Sequence, residues 1–161
     1  MGIGQEFAWS LCAWIGLSLI AGALGSWFSM DGLRDWYPAL AKPWFTPPSW
    51  VFGPVWTLLY VLMGIAAAIV SKYGDLEGRR EALALFGTQL AFNAIWSMVF
   101  FGLRSPLLGL VVIAVLWMMI AACVYGFWQL NKAASVLMMP YLAWVSFASM
   151  LNLAIFQMNG G

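Results

Sequence analysis

The chain is a series of long apolar stretches separated by short groups of charged residues. A helix needs about 20 mostly apolar residues to cross a bilayer. Five stretches lack Asp, Glu, Lys and Arg and are long enough, namely 7–30, 43–71, 82–103, 105–131 and 133–161. They are continuously apolar, whereas the strands of a membrane barrel alternate with a period of two. The pattern predicts an all-α integral membrane protein, a five transmembrane helix bundle with helices over about 7–28, 49–71, 82–102, 106–129 and 134–157.

The longest connection between predicted helices is the first, and it is rich in proline. It covers about 29–48 of a single domain, 1–161, and contains most of the run KPWFTPPSW. Proline fixes φ and disfavours helix in the residue before it, so this segment is stiff and loses little entropy on ordering. We interpret it as a lid over one end of the bundle. It also reads as a rigid connector that starts the second helix at Ser49.

The charged residues exclude several classes of function. Only 8% of the chain is charged, against roughly 25% in a soluble domain, so the chain could not cover a water-facing surface. No charge lies in the middle of a predicted span, which argues against proton-coupled transport. The net charge of +1 is too small to provide the basic surface that a nucleic acid partner requires. Four Lys and Arg residues on the N-terminal side oppose three on the other, which is too even to set the orientation.

Histidine is absent from the sequence, and cysteine is scarce. Without histidine the chain cannot form histidine-ligated haem, most zinc sites or a Ser-His-Asp triad. Cys12 and Cys123 lie in apolar runs without a CxxC pair, which predicts two small buried side chains. We expect no metal site and no required cofactor. Only Glu6 precedes the first apolar run, so this run is predicted to be a retained helix rather than a cleaved signal peptide.

Tryptophan is unusually frequent, with eleven in 161 residues. An interfacial aromatic belt accounts for three that lie near predicted helix ends, Trp9, Trp27 and Trp128. It accounts less well for four that crowd into the first connection and the second helix, Trp36, Trp44, Trp50 and Trp56. Flat aromatic walls suit a flat apolar ligand, and a few indole N–H groups can orient it. Some of these indoles are therefore predicted to face a ligand.

Helical spacing places polar and aromatic residues on common faces. The stripes are Trp56, Tyr60 and Met63 in the second helix, Gln89, Asn93, Trp96 and Phe100 in the third, and Trp144, Ala148, Leu151 and Asn152 in the fifth. An amide in lipid is costly without a partner, so these faces should point to protein or to a cavity. No base lies beside a nucleophile, which argues against a hydrolytic site. The pattern predicts an aromatic cavity between helices two, three and five.

A second face of the third helix carries small residues at helical spacing, Ala84, Gly87, Ala91 and Ala94. Small side chains allow two membrane helices to approach closely. This face is predicted to be the contact of a homodimer. Packing within the monomer is the alternative reading of the same residues.

Four segments resemble the translocator protein family, also called the tryptophan-rich sensory protein, TspO/MBR or peripheral benzodiazepine receptor family. They are GLRDWYPAL at 32–40, KPWFTPPSWVFGPVWTLLY at 42–60, QLAFNAIWSMVFFG at 89–102 and PYLAWVSFASMLN at 140–152. With the five-span pattern, they extend the resemblance over nearly the whole chain. It implies a five-helix bundle, a homodimer, and a cavity closed by the first connection.

The resemblance also implies ligands and the residues that bind them. Family ligands are porphyrins such as protoporphyrin IX, cholesterol in animal members, and isoquinoline or benzodiazepine-type drugs. Matching positions give as ligand-binding residues Trp36, Tyr37, Trp56, Tyr60, Asn93, Trp96, Trp144, Ala148 and Leu151. A porphyrin ring would stack on the indoles, and its carboxylates would pair with Arg34 and Lys42.

Two departures from the animal members of the family change these expectations. Leu153 and Gln157 stand where animal members carry the Tyr and the basic residue of a cholesterol motif, so cholesterol is not expected as the native ligand. Leu108 and Val112 stand where those members have Trp and Asp, so that side of the pocket should differ. The chain also stops soon after the fifth helix without a basic tail. We therefore expect a bacterial cell membrane protein.

Three functions fit this sequence. The first is a membrane receptor or carrier for porphyrin-type tetrapyrroles and related flat hydrophobic ligands. The second is a light-dependent porphyrin-degrading enzyme, in which Trp56 and Trp144 would be the reactive indoles. The third is a ligand-sensing regulatory membrane protein that acts through protein partners. In each case the expected partners are a hydrophobic small molecule, membrane lipid and a second copy of the chain.

Overall fold

The structure, a computed structural model, describes residues 3–73 and 76–160. Within these residues the fold consists of five α-helices, and the longest connection joins the first two. The helices are α1 (Ile3–Asp31), α2 (Ser49–Tyr73), α3 (Leu76–Ser97), α4 (Pro106–Leu130) and α5 (Lys132–Met158). Each of the five is long and apolar enough to cross a membrane. The prediction of an all-α bundle with five spans is therefore confirmed.

The five helices form a closed ring. Each packs most closely on two others, in the order α1, α2, α5, α4, α3 and back to α1. Large, fully buried side chains from α2 to α5 fill the interior, among them Met63, Phe86, Leu116, Ile120, Met138 and Tyr141. Lipid tails are as apolar as these side chains, so the packing gains dispersion contacts rather than the hydrophobic effect.

The two cysteines lie in different surroundings. Cys123 is buried in α4, as predicted, whereas Cys12 is exposed on α1. The prediction of a buried side chain is wrong for Cys12 because α1 packs on α2 and α3 and leaves its outer face uncovered. An apolar run in a membrane helix does not distinguish a lipid-facing side chain from a core side chain.

Several helices extend past the predicted ends. α3 begins at Leu76 rather than near 82, and it includes four of the charged residues that were expected to form the connection, Glu77, Arg79, Arg80 and Glu81. Its first turn is tied to the end of α2, because Arg79 Nη1 donates to the Ser71 carbonyl oxygen at 2.8 Å. A charge marks where the apolar core of the bilayer ends, but the helix itself continues into the polar interface. Asp75, in the same predicted connection, lies outside the described residues.

The lid, residues 29–48, is more helical than predicted. α1 continues to Asp31 and passes into a π-helical turn, Gly32–Trp36, and a 3₁₀ turn, Tyr37–Ala39. Only 40–48 is free of regular helix, and this part contains the three prolines at 43, 47 and 48. The difference has the same cause as in α3, because the charges near 31–35 lie in helical turns. α2 then begins at Ser49, as predicted.

Capping side chains fix the two links that join the last three helices. Ser105 Oγ accepts from the Leu108 N–H at 3.3 Å, and Asn131 Oδ1 accepts from the Ala134 N–H at 3.1 Å. Each cap satisfies an N–H group that has no partner within its helix. Arg104 adopts a left-handed φ of 54°, which tightens the first link. These short links place α3, α4 and α5 side by side.

Candidate functional site

A cavity opens between the lid and helices α2, α3 and α5. Its volume is about 30 Å³, or about 340 Å³ when the space open to the outside is included. The lining residues are Tyr37, Phe52, Trp56, Trp96, Phe100, Phe101, Trp144, Ala148, Leu151, Asn152 and Ile155. Seven of these eleven are aromatic, and almost all of the cavity surface is carbon. The wall offers stacking faces rather than acids, bases or charges.

A π-helical turn at the end of α3 brings three neighbouring aromatic side chains into the wall. Trp96 and Phe101 lie five residues apart, which is about 140° around a regular α-helix. The turn Met98–Gly102 uses wider i→i+5 bonding, with the Leu103 N–H donating to the Met98 carbonyl oxygen at 2.9 Å. Phe100 stacks on Trp96 with ring centroids 5.7 Å apart and meets Phe101 edge-on at 4.8 Å. The three rings form one continuous wall.

A buried hydrogen-bond network lies behind the cavity. The Tyr60 hydroxyl donates to Asn93 Oδ1 at 2.5 Å, and Asn93 Nδ2 donates to the Tyr141 hydroxyl oxygen at 3.1 Å. The Tyr141 hydroxyl in turn donates to Gln89 Oε1 at 2.9 Å. Trp56 stacks on Tyr60 with ring centroids 5.6 Å apart. The network therefore joins α2, α3 and α5 and supports an indole of the cavity wall.

Asn152 joins three helices at the cavity wall. Its Oδ1 accepts from Trp96 Nε1 at 3.3 Å, and its Nδ2 donates to the Pro106 carbonyl oxygen at 2.9 Å. The side chain is 1% exposed, so both bonds are sheltered from solvent. Because the indole N–H of Trp96 is engaged, this tryptophan presents its ring rather than its donor to the cavity.

One polar side chain stiffens the lid, and another holds it to the end of α5. Lys42 Nζ donates to the carbonyl oxygens of Tyr37, Pro38 and Leu40 at 2.8, 3.0 and 3.0 Å. At the end of α5, Asn159 forms a paired bond with the backbone of Ala41. The Ala41 N–H donates to Asn159 Oδ1 at 3.0 Å, and Asn159 Nδ2 donates to the Ala41 carbonyl oxygen at 2.9 Å. We call this pair the lid clasp.

Six of the nine predicted ligand-binding residues line the cavity, namely Tyr37, Trp56, Trp96, Trp144, Ala148 and Leu151. The other three lie just outside the lining. Trp36 meets Phe100 edge-on with centroids 5.6 Å apart, and Tyr60 and Asn93 belong to the buried network. The structure thus brings the predicted residues together, and their role in binding a ligand stays a prediction.

Sequence reasoning placed Phe100 and Asn152 on the predicted stripes without selecting them as ligand-binding, and it missed three residues of the lining, Phe52, Phe101 and Ile155. Phe52 and Ile155 continue the predicted stripes by helical spacing, since Phe52 precedes Trp56 by four positions and Ile155 follows Leu151 by four. Phe101 lies off the stripe of α3 and enters the cavity only through the π-helical turn. Leu108 and Val112, which were expected to alter one side of the pocket, are not among the described lining residues.

The other tryptophans that the sequence analysis singled out, and most of the small-residue face of α3, are exposed. Trp9, Trp27, Trp44, Trp50 and Trp128 are exposed and lie outside the cavity. On the small-residue face of α3, Ala84 and Ala91 are exposed, and a Cβ added at Gly87 would meet nothing within 4 Å. Ala94 instead packs within the monomer, because its Cα lies 3.4 Å from a Cβ placed on Gly25 of α1.

The fold and the cavity define a class, a multi-pass membrane protein that encloses an aromatic pocket within a five-helix bundle. The sequence profile of the TspO/MBR family matches residues 14–158. The chain belongs to the TspO/MBR family. The resemblance seen in its four motifs is thereby confirmed.

Individual relatives match over most of the chain. The tryptophan-rich protein TspO of Chlorobaculum tepidum is 44% identical over 156 residues, which cover 96% of this chain and 98% of that protein. The tryptophan-rich sensory protein of Cereibacter sphaeroides is 45% identical over 125 residues, covering 78% and 77%. The translocator protein of Homo sapiens is 36% identical over 161 residues, covering 99% and 90%. Because these organisms differ so widely, a bacterial cell membrane stays a prediction for this chain.

Proposed function

We propose that the protein is a membrane receptor or carrier for flat hydrophobic ligands, with porphyrin-type tetrapyrroles such as protoporphyrin IX as the leading candidates. The observation that carries this proposal is the cavity, in which seven of eleven lining residues are aromatic. Offset and edge-on packing of such rings suits a planar conjugated ligand. Two relatives are named translocator protein and tryptophan-rich sensory protein, and neither name is that of an enzyme.

Polar groups near the cavity support a particular orientation of the ligand. Among the described residues, the indole N–H groups of Trp56 and Trp144 have no hydrogen-bond partner, so they are available to polar atoms of a ligand. At the lid end, the three protons of the Lys42 ammonium are already donated to carbonyl oxygens. The exposed guanidinium of Arg34 is therefore the better partner for a ligand carboxylate.

The size of the cavity requires the lid to move. Ligand pockets span roughly 300–1,000 Å³, whereas this cavity has a volume of only about 30 Å³. A tetrapyrrole with two carboxylate side chains needs more room than this. We therefore assign the lid the role of a gate that moves outward when such a ligand enters.

Titration of the purified protein in detergent with protoporphyrin IX tests the proposal, with tryptophan fluorescence as the readout. Saturable quenching is expected, and Trp56→Ala together with Trp144→Ala should weaken the affinity about tenfold or more because stacking area is lost. Trp9→Ala is the matched control, since Trp9 is 73% exposed on α1, outside the cavity lining. Quenching that never saturates, or that the double variant leaves unchanged, would mean partitioning into the micelle.

A second candidate is light-dependent degradation of a bound porphyrin. The observation in its favour is the continuity of rings around Trp56, whose centroid lies 6.4 Å from that of Trp96 and 5.6 Å from that of Tyr60. A photoexcited ligand could take an electron from such a cluster. Illumination of the complex should then bleach porphyrin faster than illumination of free porphyrin in empty micelles. Equal bleaching rates would remove this candidate.

A third candidate is a sensor that passes ligand occupancy to a protein partner. It is favoured by the exposed small-residue face of α3 and by the name of the relative from Cereibacter sphaeroides. Crosslinking through a cysteine placed on this face, in native membranes, tests the sensor role. Products that contain a second protein and change with ligand would support the sensor, whereas self-crosslinked chains alone would leave a plain homodimer.

A further inference from the structure

Helix α4 contributes none of the described lining residues, yet it touches two of them from behind. The contact is at Gly109. A Cβ added there would lie 2.8 Å from Cδ2 of Phe100 and 2.9 Å from Oδ1 of Asn152. Real side chains do not approach so closely, so even a methyl group at this position would force one of the two neighbours to move.

Both neighbours of Gly109, Phe100 and Asn152, are confined by their contacts with other parts of the protein. Phe100 is 3% exposed, stacks on Trp96 and meets Phe101 and Trp36 edge-on. Asn152 is held by its bonds to the Trp96 indole N–H and the Pro106 carbonyl oxygen. The side of Phe100 that is not packed against protein is the side that lines the cavity. A ring displaced from Gly109 would therefore move into the cavity.

We propose that Gly109 determines the size of the ligand that the cavity accepts. Because this residue has no side chain, Phe100 rests directly against α4, and the cavity gains the width that a methyl group would remove. The inference rests on the proposed function, since it names the residue that makes room for a wide planar ligand. Gly109 acts through Phe100 and Asn152, so it is a positioning residue that shapes the wall and does not itself line it.

Size selectivity provides the test, because a general loss of structure would weaken the binding of wide and narrow ligands alike. The dissociation constants of protoporphyrin IX and of acridine, a narrower planar ring, are measured by fluorescence quenching for each variant. Gly109→Ala should raise the constant for protoporphyrin IX about tenfold or more and that for acridine less than about threefold. Gly16→Ala is the matched control, because a Cβ at Gly16 would meet nothing within 4 Å.

A compensating variant separates the proposed role from simple damage. Phe100→Leu in the Gly109→Ala background returns the lost space and should bring the ratio of the two constants to within about threefold of the wild-type ratio. If Gly109→Ala alone does not fold, Phe100→Leu alone carries the test. It widens the wall and should lower the constant for protoporphyrin IX relative to that for acridine.

The outcomes that overturn the inference differ from the one that overturns the function. Wild-type protein that binds neither ring would defeat the proposed function and this inference with it. Wild-type protein that binds both, with Gly109→Ala binding both as tightly or losing both in equal proportion, would defeat only the role of Gly109. A ratio unchanged by Phe100→Leu would do the same.

Discussion

At the residue scale, the buried amides and phenols largely determine how the helices are arranged in the interior. A polar group in the bilayer core finds no water, so each must bond to protein. Among the described residues, no buried side-chain nitrogen or oxygen lacks a partner. The chain Tyr60–Asn93–Tyr141–Gln89 meets this condition with bonds between three helices. Its geometry admits one arrangement of the helices, because any shift would leave a group unpaired.

Replacing Asn93 by leucine should therefore destabilise the bundle. The Tyr60 hydroxyl would lose its acceptor and Tyr141 its donor, at a cost of about 1–3 kcal/mol for each buried group left unpaired. Thermal unfolding in detergent, followed by circular dichroism, measures the effect. Thr88→Ala on the same helix is the control, because Thr88 is exposed and its hydroxyl bonds only to its own helix at Ala84. An Asn93→Leu protein as stable as this control would show that the network contributes nothing to stability.

Residue types and helical spacing predicted much of the cavity, but not all of it. Trp56, Trp96 and Trp144 could be selected because a stripe of indoles and amides in lipid must face protein. Phe101 could not, because the π-helical turn shifts it onto the face of Trp96 and no residue pattern marks that turn. The hydrogen bond between Tyr60 and Asn93 could not be predicted either. These residues lie on separate helices, and which of their side chains meet depends on how the helices pack.

At the element scale, the lid is the part of the fold whose motion the proposed function requires. It packs on α5 through Phe45 and Phe147, with centroids 6.3 Å apart, and through the lid clasp at Ala41 and Asn159. Lys42 ties the lid to itself rather than to the bundle. The first part of the lid is also held at the end of α3, because Trp36 and Tyr37 meet Phe100 edge-on. The part at 40–48 can therefore move as one stiff piece when its few contacts with α5 are broken.

Removal of the clasp should speed the passage of ligand. Asn159→Ala deletes two bonds to the lid, each with a net contribution of about 0.5–1.5 kcal/mol, so the open lid should become about fivefold to a hundredfold more populated. Stopped-flow quenching with protoporphyrin IX should show both association and dissociation faster by a similar factor. Gln157→Ala is the matched control, because Gln157 is exposed in the last turns of α5. Rates equal to those of this control would show that the clasp does not restrain the lid.

At the scale of the whole molecule, the number of spans follows from the sequence and the ring order does not. Charge-free runs revealed each span because a charge is costly within the bilayer. The order α1, α2, α5, α4, α3 depends on which faces meet, and continuously apolar helices give little indication of their faces. The exposure of Cys12 and the packing of Ala94 against Gly25 both follow from the position of α1 in this ring.

The predicted homodimer can be tested where the ring leaves α3 uncovered. A cysteine at Ala91 should crosslink two copies in native membranes through a short thiol-reactive linker, because Ala91 is exposed on the small-residue face. A cysteine at Ala94 should not, because α1 covers that position. The native exposed thiol is removed beforehand by Cys12→Ala, and the buried Cys123 is retained.

Random collision in the membrane would also crosslink exposed cysteines, so the comparison with a second exposed position decides the matter. Ile20 is 59% exposed on α1, outside the small-residue face. Ile20→Cys should give a low yield that falls as the protein is diluted in lipid, whereas the yield from Ala91→Cys should persist because a specific interface survives dilution. Equal yields and equal dilution curves would mean that α3 contacts lipid rather than a second copy, and that its small residues do not form a dimer contact.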